Sequence, residues 1–176
     1  MSLFEEIFAE HGTPRSVKQG DHLFRQGDNC SRVFLVREGL LKAYYIRPDG
    51  REHIKSFQPE GSIIGSLVAL IENDSCTFNL VAVESSFIVS VPYKALEDAA
   101  RSNVQIANAF IQFLSAYGKR KERREYELLC LSPEDRYTQL LGSTPTLAKR
   151  ISQAELAAYI GVTPQALSRI KRRIST

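Results

Sequence analysis

Residues that bind metals or form crosslinks are few. Cys30, Cys76 and Cys130 are isolated, odd in number and form no CxxC pair. A disulfide framework is therefore excluded as a design, and a zinc site is not expected. His11, His22 and His53 are equally scattered, with no HxH or HExxH spacing. They do not supply the clustered ligands that a metal enzyme of the cupin type would need. No apolar run approaches the roughly 18 residues of a membrane span. The N-terminal MSLFEEIFAEHG is acidic and lacks the basic-then-apolar plan of a secretion signal. The expectation is a cytoplasmic protein with no membrane partner, no metal and no enzymatic centre.

What is present suffices for folding. The 176 residues are 43% hydrophobic, enough for one sizeable core and a smaller second one. Charge is unevenly placed. Residues 118–176 carry 12 Lys/Arg against 6 Asp/Glu, whereas residues 1–117 carry 11 against 14. A basic C-terminal third on an acidic body suggests a polyanion-binding module.

Three segments follow one another. From about Ser16 to Pro92, short β-branched and aromatic runs, Arg32–Arg37, Leu41–Ile46 and Phe87–Val91, alternate with turn signals. The turns are Gly20-Asp21, Gly27-Asp28, Glu38-Gly39, Pro48-Asp49-Gly50 and Pro59-Glu60-Gly61. This spacing predicts an antiparallel sandwich or barrel. Glycine and proline then vanish between Lys94 and Tyr117, and Asn103 to Leu131 can form one helix of roughly 40 Å. Ile106, Phe110, Phe113 and Tyr117 recur along it at coiled-coil spacing, which favours a homodimer seam over packing on the barrel. The charged run from Lys119 to Glu125 interrupts that seam. The expected units are 1–100, a sensor barrel; 101–131, a dimerisation helix; and 132–176, a helical DNA-binding domain. The fold class is α+β.

The tail holds the most informative motif. Ser132-Pro133-Glu134-Asp135 reads as N-cap, N1 proline and acidic first turn. Ser152-Gln153-Ala154-Glu155 reads as a capping box. The helix it opens ends at Gly161, and Thr163-Pro164 starts another. Leu156, Ile160, Val162, Leu167 and Ile170 are spaced to pack together, with small Ala157 at the crossing. That is the packing code of a helix-turn-helix. The second helix would present Gln165, Ser168, Arg169 and Arg172, side chains suited to base edges in a major groove. Thr163 and Lys171 are placed for phosphates.

Barrel, long helix and C-terminal helix-turn-helix together resemble the Crp/Fnr family of regulators. The resemblance covers nearly the whole chain. It rests on Gly61-Ser62-Ile63-Ile64-Gly65-Ser66-Leu67, similar to the start of a phosphate-binding cassette, and on Ile151–Arg173, similar to the recognition unit. It implies a cyclic-nucleotide-binding-like jelly roll, a homodimer, and double-stranded DNA as partner, with RNA polymerase and an unidentified small-molecule effector as further candidates. In cyclic-AMP-binding members a glutamate after the cassette glycine holds the ribose, and an arginine some ten residues on neutralises the phosphate. Here those positions are Ser66 and Cys76, followed by Thr77. Cyclic AMP is therefore not the expected cofactor, and none other is assigned. The residual effector pocket would comprise Gly65, Ser66, Cys76, Thr77 and Lys121, with Lys121 or Arg124 supplying charge from the helix. Iron–sulfur members use clustered N-terminal cysteines, and none precedes Cys30; no histidine is singled out as a haem ligand. Many members also carry a β-hairpin wing after the recognition helix. The sequence given stops at Thr176, about one turn beyond Arg172, so either the wing is absent or the chain is truncated; without a wing, fewer phosphate contacts are expected. The competing reading is a small-molecule-binding signalling module whose tail contacts protein instead of DNA.

Overall fold

The computed structural model describes residues 3–174. Among them, eight strands form two four-stranded antiparallel sheets. The first runs β1 (Thr13–Val17), β8 (Ser86–Pro92), β3 (Arg32–Glu38), β6 (Ile63–Ile64). The second runs β2 (His22–Phe24), β7 (Asn79–Ala82), β4 (Leu41–Ile46), β5 (Glu52–Gln58). The three expected strands are β3, β4 and β8. The turns between them depend on glycine at particular points. Gly39 sits at φ +94°, and a Cβ there would lie 2.2 Å from Ser86 Oγ. Gly50, at φ +77°, closes the β4–β5 hairpin after Pro48-Asp49.

Side chains alternate across each strand, and both faces of each sheet find cover. Inward residues such as Phe34, Val36, Leu41, Ala43, Leu80 and Ile88 meet between the sheets in a first core. Outward residues of the first sheet, Val33, Leu35, Val89 and Val91, pack under helices α1 (Leu3–His11), α3 (Tyr93–Ser102) and α4 (Val104–Cys130). Outward residues of the second sheet, Tyr44, Ile54, Phe57 and Val81, are covered by α5 (Pro133–Ser143), α7 (Gln153–Ile160) and α8 (Pro164–Ile174). Two shorter helices, α2 (Leu67–Glu72) and α6 (Leu147–Arg150), complete the described chain. Double-sided burial explains why runs such as Val33–Val36 read as continuously apolar.

The long helix is α4, and its N-cap is Asn103. The Asn103 carboxamide oxygen accepts from the N–H groups of Gln105 (2.9 Å) and Ile106 (3.4 Å). The stripe expected as a dimer seam turns toward its own chain. Ile106, Phe110 and Phe113 are half-buried in the third core, and Tyr117 continues that line. The apolar residues α4 leaves outward are Val104 and Ile111 in its first half, 73% and 60% exposed, and Tyr126 and Leu129 near its end, 57% and 76% exposed. The elements change near 101 and 132, but the packing does not divide at 132. Tyr137, Leu156, Ile160 and Leu167 share one core with the second sheet.

Candidate nucleic-acid interface and effector pocket

Helices α7 and α8 form the helix-turn-helix from local rules. Ser152 Oγ accepts from Glu155 N at 3.2 Å, and the Glu155 carboxylate accepts from Ser152 N at 3.0 Å. Burial alone would raise the Glu155 carboxyl, yet these hydrogen bonds and Lys42 hold it below its usual range. Gly161 takes φ +84°, and the N–H groups of Gly161 and Val162 both donate to Ala157 O. Thr163 Oγ1 caps α8 by accepting from Ala166 N at 3.2 Å. Ala157 is fully buried at the crossing, with Leu156, Ile160, Leu167 and Ile170 around it.

The outer face of α8 carries Gln165, Ser168, Arg169 and Arg172, all exposed. The expected contacts are not equal in their freedom. Ser168 Oγ donates to Pro164 O at 3.0 Å, and Thr163 is occupied as a cap. Lys171 turns sideways. It is half-buried, donates to Gln153 and lies 5.9 Å from the Tyr137 ring. Arg173, unassigned from sequence, pairs with Glu134 at 3.1 Å.

The expected effector residues fall in two neighbouring groups: Ser66 lies beside Cys76, and Gly65 lines the same cavity as Lys121. Ser66 and Cys76 are both buried, Cys76 in the core between the sheets, where burial first of all raises its thiol. Thr77 points outward. Gly65 is needed for packing, since a Cβ would come 2.8 Å from Leu70 Cδ1 and 3.3 Å from Arg32 O. Lys121 and Gly65 line a cavity of about 660 Å³ bounded by residues 55–65, α4 and the inner side of α5–α7.

The cyclic nucleotide-binding domain family matches residues 14–103, just over half of the chain. The chain belongs to the cyclic nucleotide-binding domain family. Relatives extend the likeness into the tail. The fumarate and nitrate reduction regulatory protein of Vibrio cholerae is 24% identical over 173 residues, 90% of this chain and 67% of that protein. The transcriptional activator protein Anr of Pseudomonas protegens is 24% identical across 98% of this chain and 73% of its own. Among solved structures, FixK2 from Bradyrhizobium japonicum superposes with a TM-score of 0.82 at 20% identity, covering 93% of this chain and 84% of that one. This family member is thus a regulator of the Crp/Fnr type and not an enzyme.

Its barrel does not fit the ligand that names the family. The space between the sheets is filled by Phe24, Phe34 and Phe78, with ring centroids 5.1 Å and 6.0 Å apart around Phe24. Cys76 offers no cation to a phosphate, and the Ser66 hydroxyl accepts more weakly than a charged carboxylate would. Among the described residues no His/Cys/Asp/Glu group could hold a metal, and no helix is long and apolar enough to cross a membrane.

Lys42, Arg150 and Arg136 position the helix-turn-helix and were not singled out from sequence; Arg124, expected to lend charge to an effector, is engaged there as well. Lys42, 9% exposed on β4, pairs with Glu52 at 2.9 Å and with the capping residue Glu155 at 3.4 Å. Arg150 joins Glu60 (2.8 Å) and Glu84 (2.5 Å), tying α6 to two barrel loops. Hydrogen bonding to Arg150 holds the Glu60 carboxyl down to about 2. Arg136 donates to the carbonyls of Glu127, Leu128 and Leu131, capping α4 from α5. Arg124 stacks on Tyr159 at 3.9 Å and donates to its carbonyl. The ties Lys42–Glu155, Arg150–Glu60, Arg150–Glu84 and Arg124–Tyr159 join residues far apart in sequence, so spacing carries no sign of them.

Proposed function

We propose that this regulator binds double-stranded DNA as a homodimer, with α8 of each protomer in a major groove. The observation that carries this is the exposed, basic outer face of α8, mounted on a fully packed helix pair. Arg169 and Gln165 are the base readers, because their side chains reach outward and can bond guanine and adenine edges bidentately. Arg172 and Thr163 serve as phosphate contacts, Ser168 as a minor one. Lys171 acts mainly in bracing α8 against Gln153 and Tyr137.

The dimer forms through the outward face of α4, where Val104 and Ile111 stand free of their own barrel. Gly118 lies two heptads beyond Val104. A Cβ there would meet nothing in its own chain, so the roughly 0.5–1 kcal/mol that a mid-helix glycine costs has no reason within the protomer. Close approach of a second α4 supplies one. Two recognition helices then call for a near-palindromic operator with half-sites about one DNA turn apart. Control by cyclic AMP is not part of this reading, since the barrel interior is filled.

Selection from random duplexes tests it. The wild type should enrich a near-palindrome. Arg169→Ala should weaken that site by about 1–3 kcal/mol and relax one base position in each half-site. Recovery of the same motif at the same strength would remove Arg169 from the reading face, and no enriched motif at all would favour a tail that contacts protein.

A further inference from the structure

Cys30 and Cys76 are isolated along the chain, but the fold joins the loops that carry them. Gly27 N donates to Cys76 O and Cys76 N to Asp28 O, both at 2.8 Å. The loop between β2 and β3 is thereby stitched to the segment between α2 and β7. Cys76 is 1% exposed in the first core, and half-buried Cys30 packs against that core from its rim. Asn29 and Ser31, on either side of Cys30, are exposed. A small solute therefore meets the Cys30 thiol first. Cys130, the third cysteine, is exposed on α4 and takes no part in this core.

The surroundings of the Cys76 sulfur are polar, where a thiol used only for packing needs no such neighbours. The Cys30 N–H is directed at it, and the Ser66 hydroxyl lies beside it. Ser66 is 2% exposed, and its Oγ makes no regular hydrogen bond, which native interiors generally avoid. A neutral thiol is a weak acceptor, whereas a thiolate takes both hydrogens strongly. Two donors thus converge on one sulfur, next to a second and more accessible cysteine.

We propose that Cys30 and Cys76 form a reversible thiol–disulfide site, with a hydroperoxide as oxidant and Cys30 as the thiol attacked first. The Cys30 thiolate attacks one peroxide oxygen, the O–O bond breaks, the other oxygen leaves as an alcohol or water after taking a proton, and Cys30 becomes a sulfenic acid. The Cys76 sulfur then attacks the Cys30 sulfur. Its proton leaves with the displaced hydroxide as water, and the S–S bond forms. Two thiols are oxidised to one disulfide while one peroxide is reduced. Burial first of all, and then the neighbouring Cys30 and Asp28, raise the Cys76 thiol. The second step is therefore the slow one near neutrality and quickens with pH. The bond clamps the β2–β3 loop to the α2–β7 segment. That loop also holds the start of α3, since Tyr93 N donates to Ser31 O at 2.8 Å, and α3 leads into α4. Oxidation thus acts at the corner from which the long helix departs. The site does not depend on how the tail reads DNA.

Oxidation of the full chain in a Cys130→Ser background tests the site. The protein is treated with an equivalent of hydrogen peroxide, alkylated and digested for mass spectrometry. A cross-linked peptide pair joining Cys30 and Cys76 is expected, about 2 Da lighter than the two thiol peptides together, and dithiothreitol should restore both thiols. Cross-linking should be about tenfold faster at pH 8 than at pH 7, because only the thiolate attacks. Cys76→Ala should instead leave Cys30 as a sulfenic acid that dimedone captures, and Cys30→Ser should protect the Cys76 thiol. Melting curves verify that both variants are folded. Two free thiols after peroxide treatment, or a cross-link that forms only in urea, overturns the site. Equal loss of the Cys76 thiol with and without Cys30 overturns the order of attack.

Discussion

Lys55 shows how one residue can oppose the fold that contains it. Its amine is largely desolvated, lies beside Lys121, and is held down to about 7. The unfolded chain therefore binds more protons between about pH 7 and the ordinary lysine range. Stability should rise with pH across that interval. His22 and His53 act in the same sense lower down. Desolvation is the main cause depressing both, helped by Arg25 at His22 and Arg124 at His53. The unfolded chain takes up their protons first as pH falls through about 6.5, so stability is lost on the acid side of neutrality. Melting curves from pH 5.5 to 9 should show a midpoint that climbs throughout. Lys55→Met should raise the midpoint at pH 7 by about 2–6 °C and flatten the climb above pH 7. An unchanged upper limb would mean that Lys55 is charged and solvated in the folded state. None of this was legible in the sequence, where Lys55 follows an apolar Ile54 like any surface lysine of a strand. The reading-face residues were legible, because a helical period separates Gln165, Ser168, Arg169 and Arg172 from buried Leu167 and Ile170.

At the scale of elements, local rules carried far. The capping box at Ser152, the Gly161 stop and the Thr163-Pro164 start are all short-range grammar, and α7 and α8 follow them. Asn103 and Ser132 start α4 and α5 for the same reason. What local rules could not decide was which side of α4 faces what. Ile106, Phe110, Phe113 and Tyr117 form the stronger apolar stripe, and the period alone fits a partner helix or a sheet equally well. The first sheet takes that stripe because its outward face, Val33, Leu35, Val89 and Val91, is also apolar and must be covered. The face left over is the weaker one, centred on Ile111. Ile111→Glu should therefore convert the dimer to monomer in sedimentation equilibrium while leaving the melting of the barrel nearly unchanged. Phe113→Ala should do the reverse, costing about 2–4 kcal/mol of folding stability without abolishing association. If Phe113→Ala dissociates the protein and Ile111→Glu does not, the two faces are assigned the wrong way round.

For the whole molecule, the cassette residues explain the widest gap between sequence and structure. Gly65, Ser66, Cys76 and Thr77 come from two short stretches, yet Cys76 sinks into the core between the sheets, Gly65 packs on Leu70 and Thr77 faces outward. The cavity around Lys121 assembles from β5, β6, α4, α5, α6 and α7, so no window of sequence contains it. Long-range ties also fix the tail. Arg150 holds barrel loops through Glu60 and Glu84, and Phe57 packs against Tyr159 with centroids 5.5 Å apart. Arg150→Ala should loosen this attachment. Amide exchange in α6 and α7 should quicken about tenfold, equivalent to about 1.4 kcal/mol, while β3 and β8 keep their protection. Equal acceleration in β3 would show that Arg150 supports the whole fold and not the attachment alone.

The core shared by the second sheet and the tail has a consequence for how such a protein can change over time. Tyr44, Ile54, Phe57 and Val81 have helices α5, α7 and α8 as their cover. A graft that replaced residues 132–174 with an unrelated reading head would leave those four side chains bare. The sensor and the reader must therefore be inherited as a matched pair, and new operator preferences are more readily reached by substitution on the outer face of α8 than by exchange of the unit that carries it.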